Sequence, residues 1–412
     1  MSRPFLHEAK APGRAHFEIL AMAWAGWVFD FYDLILYSFL LIPLGREFHF
    51  SREQLSWIFG ASLAATAAGG VLFGFLSDRF GRKAILQATI LVFSAGTFAS
   101  GLAPSFFWLM VARIVTGLGV GGEWGTGQTY VAETFPARVR ARYGAFVQTG
   151  APIGVALASV VGGFLAPAIG WRACFLVSGI PALLVVAVRK YLPESDVWEA
   201  HRRDPRGGSA PSRIAVILSP AHRGVFLRGL LLTIFTMSAY WFTYTWLPGY
   251  LHDERHFSMA KSASWILVTQ AGGLLGYASF GFVADRWGRR PAFTAYSLVF
   301  AAGLAMTTVF WGSIASTPGV VLAFMFLVGL GTGVWGGFGP LFAELFPTPI
   351  RGAAMGSIYN IARGVQFVTP IVVTVIARRW GLAGGMSLAA VFAAATAAWI
   401  WTFPETKGEQ IA

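Results

Sequence analysis

Two short segments of this chain repeat each other, and long apolar runs flank both. The first carries Gly74, Asp78, Arg79, Gly81, Arg82 and Lys83. The second carries Gly281, Asp285, Arg286, Gly288, Arg289 and Arg290 in the same spacing. A basic turn duplicated between hydrophobic segments implies a duplicated membrane domain. Composition agrees. The 412 residues are 56% hydrophobic and 12% charged, against about 25% charged in a soluble domain. Such a chain cannot solvate itself, and its long unalternating runs exclude an outer-membrane barrel. The formal net charge of +12 does not point to nucleic acid, because the basic residues sit in short loops and form no continuous face. The 15% aromatic content suits interfacial belts and pocket walls. Cys174 is the single cysteine, so no intrachain disulfide forms, and it reads as a small buried residue. The first 15 residues are polar and the first apolar run is full length, so no cleavable signal peptide is expected.

Twelve apolar runs are long enough to cross a bilayer. They lie near 17–43, 53–77, 84–103, 106–132, 142–167, 171–191, 224–250, 260–284, 291–313, 317–343, 352–377 and 382–403. The segment after Pro193 breaks the pattern with Glu194, Asp196, Glu199, Arg202, Arg203, Asp204 and Arg206. The expected organisation is therefore an N-terminal six-helix half (1–191), a cytoplasmic linker (192–222) and a C-terminal six-helix half (223–412). With the N-terminus inside, the outer loops hold only Arg46, Arg52, Arg172, Arg255, Lys261, Arg378 and Arg379, and most of the 31 Lys and Arg fall inside. The positive-inside rule thus predicts cytoplasmic N- and C-termini in a plasma (inner) membrane. The repeat extends further. Asp78 maps to Asp285 at an offset of 207, while Glu133 maps to Glu344 and Glu194 to Glu405 at 211.

On these motifs the chain resembles the major facilitator superfamily over essentially its whole length. The turn after the second run is similar to that superfamily's best-known signature. The acid–proline–arginine turns Glu133, Pro136, Arg140 and Glu344, Pro347, Arg351 resemble its sugar and organic-acid branches, as do Pro193-Glu194-Ser195 and Pro404-Glu405-Thr406. The resemblance implies an all-α fold of twelve transmembrane helices in two pseudo-symmetric halves, and solute transport by alternating access. The turns also have a physical reading. Asp78, Arg82, Glu133, Arg140, Asp285, Arg289, Glu344 and Arg351 share one membrane face, where acids and guanidinium groups form charge-assisted hydrogen bonds. Such a network is expected to latch the halves together and to break when the inner side opens.

An ionised residue at the bilayer centre costs about 2.5–3.5 kcal/mol on the mildest scale. Asp30, Asp33, Arg113, Glu123 and Arg363 all sit inside apolar runs. Asp30, Asp33 and Tyr37 share one helix face. Two acids a turn apart resist double ionisation, so Asp30 and Asp33 are candidates for proton coupling. Their pattern resembles sialate and aromatic-acid proton symporters. Arg113 matches Asp33 in depth and is its expected partner, as in proton-coupled sugar porters, which this stretch resembles. Glu123 has no acidic counterpart in the second half and is expected to be either a second proton station or a partner for Arg113 through water. Arg363 is expected to bind a substrate carboxylate, since Arg does so bidentately and the second half offers no acid at that depth. Tyr359, Asn360 and Gln366 share its helix face, Gln148 occupies the matching stretch of the first half, and Tyr240 and Tyr244 line the seventh run. The double-glutamine pattern of sugar porters is missing there, which weighs against a sugar. The histidine pair His252 and His256 is too weak a pattern for a metal site, and no phosphate loop is present.

The expectation is thus a proton-coupled symporter of a small organic acid anion (a monocarboxylate, a sialate-like or an aromatic acid) and not an enzyme. It needs no cofactor beyond the coupling proton, no metal and no nucleic-acid partner, and it is expected to be monomeric in the lipid bilayer. A sugar or polyol symporter and a non-transporting nutrient sensor are the alternatives.

Overall fold

The computed structural model describes residues 6, 11–136, 143–144, 146–180, 193–196, 198–199 and 216–407. Most of the expected linker and the end of the sixth run lie outside them, as do Arg140 and the side chain of Asp78. Every regular element among the described residues is helical. This suits a bilayer interior, where backbone groups find no water and a helix pairs them within its own segment.

The N-terminal half contains α1 (Arg14–Phe48), α2 (Arg52–Phe80), α3 (Arg82–Gly101), α4 (Phe106–Thr134), α5 (Gly150–Val160) and α6 (Ala166–Val177), with one π turn, Val161–Leu165, between α5 and α6. The C-terminal half contains α7 (Arg223–Tyr244), α8 (Met259–Trp287), α9 (Arg289–Thr308), α10 (Pro318–Gly331), α11 (Thr348–Val365) and α12 (Thr369–Trp399). Ten stretches are long and apolar enough to span a membrane. Two of them, Phe146–Val177 and Ala353–Thr402, have 32 and 50 residues. At about 1.5 Å per residue these run to roughly 48 and 75 Å, well beyond the ~30 Å hydrocarbon core. Ala353–Thr402 holds two spans joined at Gly381, φ 68°, and Phe146–Val177 passes through the matching Gly170, φ 81°, into the start of the sixth run, most of which lies outside the described residues. Among the described residues this is consistent with the twelve spans read from the sequence.

The two halves repeat each other in backbone detail. His49 and His256 end their helices at φ 55° and 54°. Ser51 and Ser258 then cap α2 and α8, accepting from Gln54 N and Lys261 N. Gly81 and Gly288, at φ 103° and 104°, each turn one helix into the next. The offset is 207 to this point and 211 from Glu133 onward. The extra residues fall between α9 and α10, where a four-residue helix, Trp311–Ile314, has no counterpart between α3 and α4.

Helices within a half meet at backbone contact. A methyl group on Gly121 of α4 would lie 1.7 Å from the Thr66 carbonyl oxygen of α2, and one on Gly329 of α10 would lie 1.7 Å from that of Thr269 in α8. Small residues permit such approach between membrane helices. The outer surface is apolar: Phe75, Phe107 and Phe282 are all more than half exposed. That pattern fits lipid as the solvent.

Candidate functional site

The two faces of the bundle differ in what ties them. The face bearing the Gly81 and Gly288 turns carries the duplicated motif. Arg82 donates to Glu133 from Nη2 at 2.7 Å and from Nε at 3.1 Å, and Ser195 Oγ donates to the same carboxylate at 2.6 Å. Glu194 caps the start of α3, accepting from the backbone N of Arg82 and Lys83 at 2.9 and 3.1 Å. The second half repeats this arrangement. Arg289 Nη2 donates to Glu344 at 2.8 Å, Thr406 Oγ1 donates to Glu344 at 2.5 Å, and Glu405 accepts from the backbone N of Arg289 and Arg290. Asp285 pairs with Arg289 at 2.8 Å, and Arg351 Nε donates to the Phe346 carbonyl at 3.0 Å. The sequence suggested that this network joins the halves. Among the described residues each ion pair of the motif closes within its own half, because each glutamate lies one helix away from the arginine of its own repeat. The ties between halves lie on the opposite face: Arg52 to Asp253 at 3.0 Å, Arg378 to Glu53 at 2.8 Å, and Arg46 Nη2 to His252 Nε2 at 3.1 Å.

Inside the bundle the five charges sort into two groups. Asp33 and Arg113 pair as the sequence suggested. Arg113 Nη2 donates to Asp33 Oδ2 at 2.6 Å and Nη1 to Oδ1 at 3.1 Å, while Thr97 donates its hydroxyl to Oδ1 at 2.7 Å. Both residues are buried. The guanidinium also lies over the rings of Tyr37 (5.0 Å) and Phe175 (5.8 Å). Asp30 sits on the same helix face as Asp33 but points to a different neighbourhood. Its carboxyl faces that of Glu123 from α4, and Arg363 of α11 acts on both. None of the four oxygens of Asp30 and Glu123 accepts a hydrogen bond from a donor. The acids near Arg363 thus come from the other half of the molecule, beyond the reach of any pattern within its own half.

Arg363 is 2% exposed, Nη2 has no hydrogen-bond partner, and its guanidinium lies 5.9 Å from the Trp27 ring centroid. It borders a narrow cavity whose walls come from both halves. Of the residues expected to hold substrate, Arg363, Tyr359, Gln148 and Tyr240 line it. Four others are placed elsewhere. Tyr37 packs on Arg113, between Phe59 and Phe175. Tyr244 donates to Thr269 and stacks on Tyr240. Gln366 accepts from Ser238 and donates to the Ala362 carbonyl. Asn360 donates to the Gly356 carbonyl and lies against Gly70 of α2. Helix-face arithmetic could not separate the cavity side from the side packed on a neighbouring helix. The remaining wall is aromatic and apolar: Trp27, Phe31, Trp241, Tyr277 and Trp335, with Met237 and Ala151. Most of these went unremarked in the sequence. One signal was available: Trp27 and Phe31 share a helix face at four-residue spacing and bracket Asp30.

Comparison with known proteins agrees with this architecture. The family model described as Major Facilitator Superfamily matches residues 22–280, and that described as Sugar (and other) transporter matches residues 218–412. The chain is 30% identical to the cis,cis-muconate transport protein of Acinetobacter baylyi, covering 84% of each chain. It is 28% identical to the niacin transporter of the same organism (88% of this chain, 87% of the relative) and 28% identical to the sialic acid transporter of Escherichia coli (90% and 89%). Among solved structures it superposes on a D-xylose-proton symporter with a TM-score of 0.79 at 23% identity, covering 96% of this chain and all of the other.

Proposed function

We propose that this chain, which belongs to the major facilitator superfamily, carries a small organic acid anion across the bacterial inner membrane together with protons. The observation that carries the reading is Arg363: a buried guanidinium with an unpartnered nitrogen at the edge of an aromatic cavity between the halves. Arg offers a planar fork that a carboxylate fills with two hydrogen bonds. The aromatic walls supply apolar area for the carbon skeleton of the substrate. A neutral sugar would leave the unpartnered Nη2 without a charged acceptor, which disfavours the sugar reading despite the sugar-transporter match over the second half. The muconate, niacin and sialic acid named for the relatives all present a carboxyl group to such a site.

The positive-inside bias orients the duplicated turns, and with them both termini, toward the cytoplasm. In that orientation the ion pairs between halves seal the outer side, which corresponds to a carrier closed to the outside. The buried acids of α1 and α4 supply the proton coupling. The duplicated network braces each half, so that it moves as a unit when access alternates.

The experiment is counterflow in proteoliposomes with labelled nicotinate, benzoate, N-acetylneuraminate and cis,cis-muconate. At least one acid should exchange. Arg363→Ala should abolish its binding, and Arg363→Lys should weaken it, because an ammonium lacks the fork. Exchange of a polyol with none of the four acids, or undiminished affinity in Arg363→Ala, would overturn the reading.

A further inference from the structure

The structure holds two buried carboxyls that no donor satisfies, beside an arginine that the proposed substrate also needs. Asp30 is 0% exposed and Glu123 1%. All four of their oxygens lack a hydrogen-bond donor, yet the two carboxyls face each other. The fit is built in: Gly26 stands one turn before Asp30 on α1, and a methyl group there would lie 1.8 Å from Glu123 Oε1. Only the missing side chain lets Glu123 of α4 reach across. Two ionised carboxylates cannot be held together in a dry site, since each lacks both solvation and a partner. One proton between them resolves both deficits: an O–H on one acid donates to the carboxylate of the other.

Asp33 contrasts with this pair. It already has two guanidinium contacts and the Thr97 hydroxyl, so no proton is needed there. The charged and titratable groups near the pair are Asp33 on α1 itself and Arg363 and Tyr359 from α11.

We infer that Asp30 and Glu123 together hold one transferable proton, and that its presence decides whether Arg363 is free to take the substrate carboxylate. With the proton in place the pair carries one negative charge. When the proton leaves to water, two charges face Arg363, and the guanidinium is drawn to them and away from the cavity. Proton binding on α1 and α4 and anion binding on α11 then become one linked event across the two halves. The linkage rests on Arg363 as the anion anchor; the shared proton does not, and it is tested without any substrate.

The test is infrared difference spectroscopy of the purified full-length protein, titrated between pH 6 and 9 in H₂O and D₂O. The parent should show the carbonyl stretch of a protonated buried carboxylic acid at neutral pH, shifted in D₂O. Asp30→Asn and Glu123→Gln should each lose it, because the amide N–H now satisfies the remaining carboxylate. Asp33→Asn should keep it. Gly26→Ala, which retains all the carboxyls but displaces Glu123, should shift or abolish it. Arg363→Gln should keep it to higher pH, since the cation favouring release is gone. No such band in the parent, or a band unchanged in either Asp30→Asn or Glu123→Gln, overturns the shared proton. An unchanged titration in Arg363→Gln with the other results intact overturns only the linkage. Failure of the anion reading would appear instead in counterflow, with this spectrum unaltered.

Discussion

Replacing Asp33 by Asn tests how far the buried pair with Arg113 holds the first half together. The carboxylate receives Arg113 Nη2 at 2.6 Å, Nη1 at 3.1 Å and the Thr97 hydroxyl at 2.7 Å. Asparagine keeps one acceptor oxygen, which still serves Thr97 and Nη1. Its NH₂ group stands where Oδ2 was, so a donor faces Nη2. The charge that balanced Arg113 is gone, in a site where the arginine has no exposure. Breaking a buried pair by removing one partner costs about 3–5 kcal/mol. The rings of Tyr37 and Phe175 remain against the guanidinium, and cation–π contacts offset part of the loss. The expected cost is therefore near the lower limit, about 3 kcal/mol, a factor of roughly a hundred in population. The assay is the decay of monodisperse protein in detergent at fixed temperature. Asp33→Asn should decay far faster than the parent. Combined with Arg113→Met, which removes the second charge at similar volume, it should regain much of the lost lifetime, because no uncompensated charge is left. If Asp33→Asn lives as long as the parent, or the double variant decays faster than Asp33→Asn alone, the pair does not brace the half in the way argued here.

Three further outcomes follow from the geometry. Gly170 and Gly381 occupy a backbone region that only glycine adopts readily, so alanine at either should cost about 1–3 kcal/mol; Gly381→Ala should cost more, since its methyl group would lie 2.6 Å from Glu254 Oε1, which caps Leu382 and Ala383, whereas nothing lies within 4 Å at Gly170. The ranking is checked by the same detergent lifetimes, and equal losses would refute it. Arg52→Ala with Arg378→Ala removes two exposed ties between the halves worth about 0.2–1 kcal/mol each, so labelling of a cysteine placed in the outer vestibule should rise by about two- to thirty-fold, and less in high salt. Glu133→Gln and Glu344→Gln each weaken a brace within one half, so they should shorten the detergent lifetime while leaving the balance of inner and outer labelling little changed; a strong shift in that balance would show that the motif joins the halves after all.

What the sequence made legible follows from where each signal is local. Helix number and placement rest on unbroken apolar runs, and the partner of Asp33 followed from matched depth on antiparallel helices. The junctions at Gly170 and Gly381 are short, yet the flanking runs were separable because Arg172, Arg378 and Arg379 mark them and the combined length exceeds a bilayer. Partnerships across the two halves were harder to see. Arg363 has no acid at its depth in its own half, and Asp30 shares a helix face with Asp33, so neither sequence pattern points to Glu123. A 60° difference around that face was enough to send one carboxyl to Arg113 and the other to Glu123. Tyr37, Tyr244, Asn360 and Gln366 carry the right chemistry on the right helices, but their side chains are engaged by neighbouring helices whose contacts no spacing rule reports.

The repeat shows which parts of the molecule are free to be symmetric. At the faces it is kept residue by residue: Gly81 with Gly288, Glu133 with Glu344, Glu194 with Glu405, Gly170 with Gly381. In the interior it is abandoned. At the same offsets Asp30 corresponds to Met237, Asp33 to Tyr240, Arg113 to Phe324, Glu123 to Val334 and Arg363 to Pro152. Met237 and Tyr240 line the same cavity as Arg363, so the counterparts of two acids have become part of its apolar wall. Turns and braces do the same mechanical work in both halves, so the repeat can be kept there. A substrate with a charged end and an apolar body has no two-fold symmetry, and a site that grips it must place its cation on one side only. The acids follow the same logic, because a proton linked to that cation must sit beside it.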